Sequence, residues 1–355
     1  MAVTQQQLAE HLGVSVATIS RALRNDPVLR PETRGRVLDA AAALGYTRTP
    51  KMRPDAGGQD ATANVGVLIR YDGDHAAWVH VKMLAGISET CENRGRLLSV
   101  HYAKGDELDR LTSNANTPIL QPNRAGGMIL LGQFPDAIVE WLAARWPCVV
   151  VHNYTPGTNA DVVEVDAIDG IGRLVRRLHN LAHRRFGFVG HAKRHGFTHA
   201  RHAAFVQSLD ALELDYDPSN FTRADVKDIA AVGDWLQERT EAGVTAWVCD
   251  HDGLAKAVGT ELVRRGFRIP EDVSLTGIDG NGSLPDGRRI TSIATPFEAL
   301  GSAAAHRLIR RLEYPNAARP HIMIPGRVVD GETIAPPPRH HTLNRTGTGS
   351  LNRKA

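Results

Sequence analysis

A chain of 355 residues, 42% apolar and 23% charged, is long enough for two or three cored domains at about 150 residues each, which excludes a wholly disordered or fibrous protein. Its formal net charge of +3 is too small to argue for nucleic-acid binding by itself, so that claim has to rest on a local motif. No run of about 18 apolar residues is present and Met1 to Glu10 is polar where a secretory leader needs an apolar stretch, so the expectation is a cytoplasmic protein with no membrane partner.

Residues 5 to 46 carry apolar side chains at helical spacing: Leu8, Ala9 and Leu12, then Val16 and Ile19, then Val37, Ala40, Ala41 and Leu44. This predicts three short helices in a first domain over residues 1–46. Residues 47–63 gather Pro50, Pro54, Gly57 and Gly58 among polar side chains and read as a linker. From Val65 onward the β-rich runs VGVLI (65–69), GMILL (127–131), CVVV (148–151), FGFVG (186–190), TAWVC (245–249) and VSLTGI (273–278) alternate with helix-like stretches at 80–94, 168–181, 200–212 and 252–265. Such alternation predicts parallel βαβ units, and the length suits two doubly wound α/β lobes in series. The stretch 336–355 has three prolines and no acid and reads as a disordered tail. Cys91, Cys148 and Cys249 fit neither a disulfide framework nor a C-x-x-C metal spacing and read as buried thiols.

The first two helices have the layout of a helix-turn-helix. Ala9 is small where the helices approach, Gly13 suits the left-handed turn, Val14 and Ile19 face inward, and Thr4 and Ser15 stand at N-cap positions. Val16, Ala17, Thr18 and Arg21 then lie on the exposed face of the second helix, whose N-terminal part enters a major groove. Arg21 can donate to guanine or phosphate, Thr18 and Ser20 to phosphate, and the methyls of Val16 and Ala17 can meet thymine methyls. The competing reading is an amphipathic hairpin with no DNA role. The small residues on its face argue against a protein-binding hot spot, which favours large aromatics.

The run GVSVATISRALRNDPVLRPETRGRVLDAAAALGY (13–46) resembles the N-terminal signature of the LacI/GalR family of bacterial transcription regulators, sharing the G-V-S-x-x-T-x-S-R-x-L stretch, the E-T-R-x-R-V pattern and the closing L-G-Y. The resemblance implies that Val16 and Ala17 select operator bases and that Thr18, Ser20 and Arg21 support them. Arg24, where the family usually has asparagine, adds a candidate phosphate contact. In the linker, Met52 and Arg53 fill the first two places of the family's A-R-S-L hinge, but Pro54 and Asp55 replace Ser and Leu, poor material for a hinge helix and a minor-groove wedge.

The resemblance continues through NVGVLI (64–69), AGGMILLG (125–132), HNLAHRRFGFVG (179–190), RHAAF (201–205), AWVCDHDGLA (246–255) and RIPEDVSLTGIDG (268–280). It implies a periplasmic-binding-protein-like effector-binding and dimerisation domain over 64–335, with lobe 1 at 64–162 and 292–320 and lobe 2 at 163–291 and 321–335. Effector candidates by position are His152, Asn153, Asp166, Arg201, Asp252 and Asp279, with Trp78 and His80 as stacking surfaces. His152 stands where relatives often have aspartate. His179 and His183 are spaced i, i+4, but no carboxylate or cysteine completes a metal site. Asp250-His251-Asp252 reads as helix capping by acids, with one ligand contact.

The function implied is a homodimeric repressor on a near-palindromic operator, controlled by a small effector, most simply a sugar or sugar derivative, with no cofactor. Two alternatives compete. An enzyme on the α/β body needs a phosphate loop, a G-x-G-x-x-G turn or a G-x-S-x-G elbow, and VGVLIRYDGDH after the linker supplies no phosphate-binding turn. A transport-type solute-binding protein explains the body but leaves the reading head without a purpose.

Overall fold

The computed structural model describes residues 5–23, 31–43, 64–71, 77–104, 107–108, 111, 117–121, 124–153, 157–193 and 196–338. Thr4, Arg24, Met52, Arg53, the linker expected at 47–63 and the tail beyond Pro338 lie outside the described residues. The chain divides into two compact units, residues 1–57 and 58–355.

In the first unit, α1 (Gln5–Leu12), α2 (Val16–Leu23) and α3 (Pro31–Ala43) close around Leu8, Ala9, Ile19, Ala22, Val37 and Ala41, all buried. Gly13 turns the chain between α1 and α2 at φ +65°, a conformation that costs glycine little, and the Val14 amide bonds the Ala9 carbonyl at 3.1 Å.

The second unit contains two six-stranded sheets. One is built from β1 (Val65–Tyr71), β2 (Leu98–Lys104), β3 (Gly127–Leu131), β4 (Cys148–Val151), β5 (Asp161–Val165) and β11 (His321–Ile324). Its order is β11-β5-β4-β3-β1-β2 and every pairing is parallel. The other is built from β6 (Phe186–His191), β7 (Phe221–Ala224), β8 (Ala246–Cys249), β9 (Ser274–Asp279), β10 (Thr291–Ala294) and β12 (Arg327–Val329). Its order is β12-β10-β9-β8-β6-β7, parallel except where β12 meets β10. The helices α4 (Ala77–Asn93), α5 (Asp136–Ala143) and α10 (Phe297–Glu313) belong to the first lobe. The helices α6 (Ala167–Asn180), α7 (Gly196–Asp210), α8 (Gly233–Glu241) and α9 (Asp252–Arg264) belong to the second. Apolar clusters fill the helix-covered faces of both sheets, which is why strands such as GMILL and AWVC are apolar along their whole length.

The chain passes between the lobes after β5, after β10 and after β11, and this shifts the expected lobe boundaries. Residues 163–165 stay in the first sheet because β5 continues its register with β11, Ile322 opposite Val163 and Ile324 opposite Val165. Residues 292–294 complete the second sheet, with Ser292 opposite Gly277, and 321–324 return to the first. All three passages leave the carboxyl end of a strand.

At the other end of the first lobe, Asp161 is buried between Arg307 and Arg311. Arg311 binds both of its carboxylate oxygens, at 3.0 and 2.9 Å, and also donates to the carbonyls of Pro315, Ala317 and Ala318. The cluster fastens the segment between α10 and β11 to the start of β5. Asp161→Ala leaves two buried guanidiniums without their anion and should cost about 3–5 kcal/mol of stability in urea melts. A loss below about 1 kcal/mol would show that solvent or the carbonyls satisfy both arginines alone.

Candidate reading head and interlobe cleft

The second helix of the first unit is set by its cap. Ser15 Oγ accepts the Thr18 amide at 3.1 Å and lies 2.9 Å from Thr18 Oγ1, while the Ser15 carbonyl receives the amides of Thr18 and Ile19. Ile19 and Ala22 point into the core, which leaves Val16 (44% exposed) and Arg21 on the outer face and Thr18 half-buried. Ala17 and Ser20 stand on the same helix, with side chains outside the described set. The hydroxyl of Thr18 is thus shared with the cap, so its first role is to fix the start of α2.

Between the lobes, a narrow cleft is lined by His152, Asp166, Phe197, Arg201 and apolar side chains that include Ile171, Ile278 and Ile293. His152 follows β4 in the first lobe at φ +58°; Phe197 and Arg201 stand on α7 in the second. The His152 and Phe197 rings stack at 5.0 Å with a 17° tilt. The Arg201 guanidinium lies 4.9 Å from the Phe197 centroid and brings Nη2 to 3.4 Å from His152 Nε2. Its Nη1 donates to the Asp250 carbonyl at 2.5 Å and pairs with the Asp250 carboxylate at 3.5 Å. Asp166 caps α6 by accepting the Asp169 amide at 2.9 Å.

A second, roomier cleft lies where the chain passes between lobes and is lined by Trp78, Lys82, Asp279, Asn281, Thr295 and Arg327 among others. Trp78 packs edge-on to Phe297 at 5.2 Å, and Lys82 pairs with Glu298 at 3.1 Å. Thr295 is 7% exposed and its hydroxyl has no partner.

The structure separates the expected effector residues. His152, Asp166 and Arg201 share the first cleft, and Trp78 and Asp279 the second. His80, Asn153 and Asp252 are buried and line neither. Asn153 donates to the Phe134 carbonyl at 3.3 Å. Asp252 is an anchor: one oxygen accepts the amides of Asn281 and Gly282, both at 2.8 Å, and the other accepts the Ser292 hydroxyl at 2.6 Å. It thereby fastens the turn after β9 to β10. Gly280, at φ +84°, has no room for a side chain, since a Cβ would lie 2.4 Å from the Ala294 Cα. Asp279 is delivered to the cleft by that turn at φ +123°.

Two other expectations change. The cap of α9 is His251, whose Nδ1 accepts the Leu254 amide at 3.2 Å, while Asp250 receives the His191 amide and the Thr198 hydroxyl. His183 is fully buried, with Nδ1 2.9 Å from Thr245 Oγ1 and Nε2 2.8 Å from the Ala335 carbonyl, so both ring nitrogens are taken. Among the described residues no cluster of His, Cys, Asp or Glu has the make-up of a metal site. Phe197 and Thr295 were not expected from the sequence; Phe197 looks like an ordinary apolar helix residue there.

A helix-turn-helix head and a two-lobed α/β body with a cleft between its lobes define a DNA-binding transcription regulator with an effector-binding domain. Residues 4–49 match the model of the bacterial regulatory proteins of the lacI family, and residues 175–334 that of the periplasmic binding protein-like domain. The chain belongs to the LacI family. It is 26% identical over 339 residues to the HTH-type transcriptional repressor CytR of Escherichia coli (strain K12), covering 94% of this chain and 95% of that protein. Its fold is similar to that of the transcriptional regulator CelR in complex with cellobiose, at a TM-score of 0.65 and 21% identity over 93% of this chain and 99% of that one. It is likewise similar to the lac repressor dimer bound to operator and the anti-inducer ONPF, at a TM-score of 0.63 and 20% identity over 94% of this chain and 100% of that one.

Burial pushes the Asp279 carboxyl up to about 8; Arg201 opposes the rise, and Asp252 and Asp250 add to it. Unfolded, the group ionises at its ordinary value of 3.8. Its contribution to stability is therefore complete below pH 3.8, declines as pH rises, and is lost above about 8. Asp279→Asn keeps a hydrogen-bond donor, tolerates the backbone, and cannot ionise. The stability of Asp279→Asn relative to the natural chain should rise between pH 5 and pH 8 and level off above it. Urea melts at several pH values test this; a difference independent of pH would show that Asp279 does not titrate in that window.

Proposed function

We propose that this chain is a repressor that binds a near-palindromic operator as a homodimer in the cytoplasm, with operator affinity set by a small effector, a sugar or sugar derivative, held between the lobes. The observation that carries the reading is a capped α2 with Val16 and Arg21 on its outer face, in one chain with a cleft whose walls come from two lobes. On this reading residues 1–46 form the head, with Val16 and Ala17 meeting base edges and Thr18, Ser20 and Arg21 meeting phosphates or guanine. Thr4, Ser15 and Arg24 supply further backbone contacts, and Met52 and Arg53 take part from the linker. Arg201 and Asp279 grip polar groups of the effector, with His152, Asp166 and Trp78 around them.

The mechanism follows from where the cleft sits. Its walls belong to different lobes joined at three passages, so a ligand that touches both changes their separation. Any ligand that distinguishes two lobe arrangements shifts the equilibrium between them, and if DNA distinguishes the same two, the affinities are coupled reciprocally, typically by about 1–3 kcal/mol. The names of the relatives support regulation of transcription as opposed to catalysis.

Selection of binding sites from random duplex DNA, followed by titration at fixed salt, tests the reading. Arg21→Ala should weaken binding to the selected site by about 1–3 kcal/mol, and Arg201→Ala should leave that affinity unchanged while removing the response to effector. Binding with a steep salt dependence and no sequence preference would sink the repressor reading.

A further inference from the structure

We infer that the contact of His152 with Phe197 and Arg201 is a proton-operated latch: it holds the lobes together while His152 is neutral and lets them part when the imidazole takes up a proton. The latch rests on the proposed function in one respect only, that lobe separation governs operator affinity. Its members come from both sides, His152 from the carboxyl end of β4 in the first lobe, Phe197 and Arg201 from α7 in the second. On its own lobe the imidazole is firmly placed: His152 sits at φ +58°, its amide bonds the Val163 carbonyl at 3.0 Å, and its carbonyl accepts Gln133 Nε2 at 2.7 Å. On the other lobe, Asp250 holds the Arg201 guanidinium through both its carbonyl and its carboxylate, which leaves Nη2 facing His152.

Where the imidazole carries its proton follows from this geometry. A guanidinium only donates, so at 3.4 Å His152 Nε2 must offer a lone pair, and the ring is the neutral form with its proton on Nδ1. A second proton fills that lone pair. Donor then faces donor, with two positive charges 3.4 Å apart. The Phe197 ring attracts a cation, but Arg201 already lies 4.9 Å from its centroid, and in a half-buried site repulsion at this range outweighs that attraction severalfold. Among the described residues, the other charged side chains lining this cleft are Glu164 and Asp166. Glu164 lies on β5 in the lobe of His152, bonded to His321 of the same sheet, and Asp166 stands at the passage after β5 with its amide on the Ile324 carbonyl. When α7 moves away, the cation leaves and the carboxylates stay. The parted arrangement therefore binds the proton more tightly, and acidification favours it. An unhindered imidazole, with an ordinary value of about 6.5, is about nine-tenths protonated at pH 5.5, so a closed contact that excludes the proton closes about tenfold less favourably there than at pH 8.

The chain passes between the lobes at β5, β10 and β11, so opening separates most the far side of each sheet, where Lys104 ends β2 and Lys193 follows β6. Spin labels on Lys104→Cys and Lys193→Cys of the full chain, without effector or DNA, read that separation, and Cys91, Cys148 and Cys249 are buried away from the label. From pH 8 to pH 5.5 the ratio of long to short separations should rise about tenfold. In His152→Gln, whose amide oxygen can accept from Arg201 but cannot ionise, the distribution should be the same at both pH values. Nitrogen NMR of labelled histidines gives a readout on the chain with His152 in place: at pH 8 its Nε2 should be the unprotonated nitrogen. A separation that ignores pH in the natural chain, an equal shift in His152→Gln, or a proton on Nε2 at pH 8 overturns the inference. Operator affinity over the same pH range is a separate result: lobes that respond while the operator does not leave the latch standing and strike the coupling of lobes to DNA.

Discussion

A parallel strand must be followed by a crossover, and that single constraint organises the second unit. Every strand of the first sheet points the same way, as do all but one of the second, so the loops at their carboxyl ends collect along one side of each sheet. The chain changes lobes at three such ends, after β5, β10 and β11, and the residues just there are Asp166, Thr295 and Pro325. His152 after β4 and Asp279 at the end of β9 arrive by the same rule. The clefts are therefore a consequence of topology, and their chemistry depends only on which side chains occupy the strand ends.

Buried charge is handled differently at the two ends of the strands. At the amino end of β5, the buried Asp161 carboxylate is paired with two guanidiniums. At the carboxyl ends, Asp250, Asp252 and Asp279 lie close together with Arg201 as their nearby cation. Three carboxyls and one guanidinium cannot all be ionised cheaply in a buried region. Burial raises the carboxyls of both Asp252 and Asp279; at Asp252 two amides and the Ser292 hydroxyl oppose the rise, while Asp279 is pushed up to about 8. An acid that is neutral because it is buried beside other acids is a group whose state a ligand can change.

Legibility in the sequence followed burial. The strands VGVLI, GMILL, CVVV and AWVC are buried on both faces and announce themselves as unbroken apolar runs. β2, LSVHYAK, is an edge strand with Val100 and Tyr102 exposed, and its polar residues hide it. β5, DVVEV, begins and nearly ends on acids, and only the structure reveals that Asp161 meets Arg307 and Arg311 and that Glu164 meets His321. Missing β5, β10 and β11 as strands is what displaced the lobe boundaries. Of the expected effector residues, His152, Asp166 and Asp279 line the clefts from the ends of strands, and Arg201 and Trp78 line them from helices α7 and α4. Asp252 was misjudged because an acid at a helix start looks alike whether it faces a ligand or fastens a neighbouring turn.

Phe197 is the instructive omission. One turn before Arg201 on α7, it satisfies the helical pattern as core, and nothing local says that its partner is an imidazole from the other lobe. The meaning of His152 depends on it in turn. As a replacement for a carboxylate it reads as a loss of hydrogen bonding to ligand; as the lid of a ring stack it is a gain of flat apolar surface at the same place. The two residues lie 45 positions apart and on different lobes, so neither reading can be reached from the composition of one segment. A contact of this kind, short in space and long in sequence, is also the kind that senses lobe separation, because it has no covalent path shorter than a passage between the lobes.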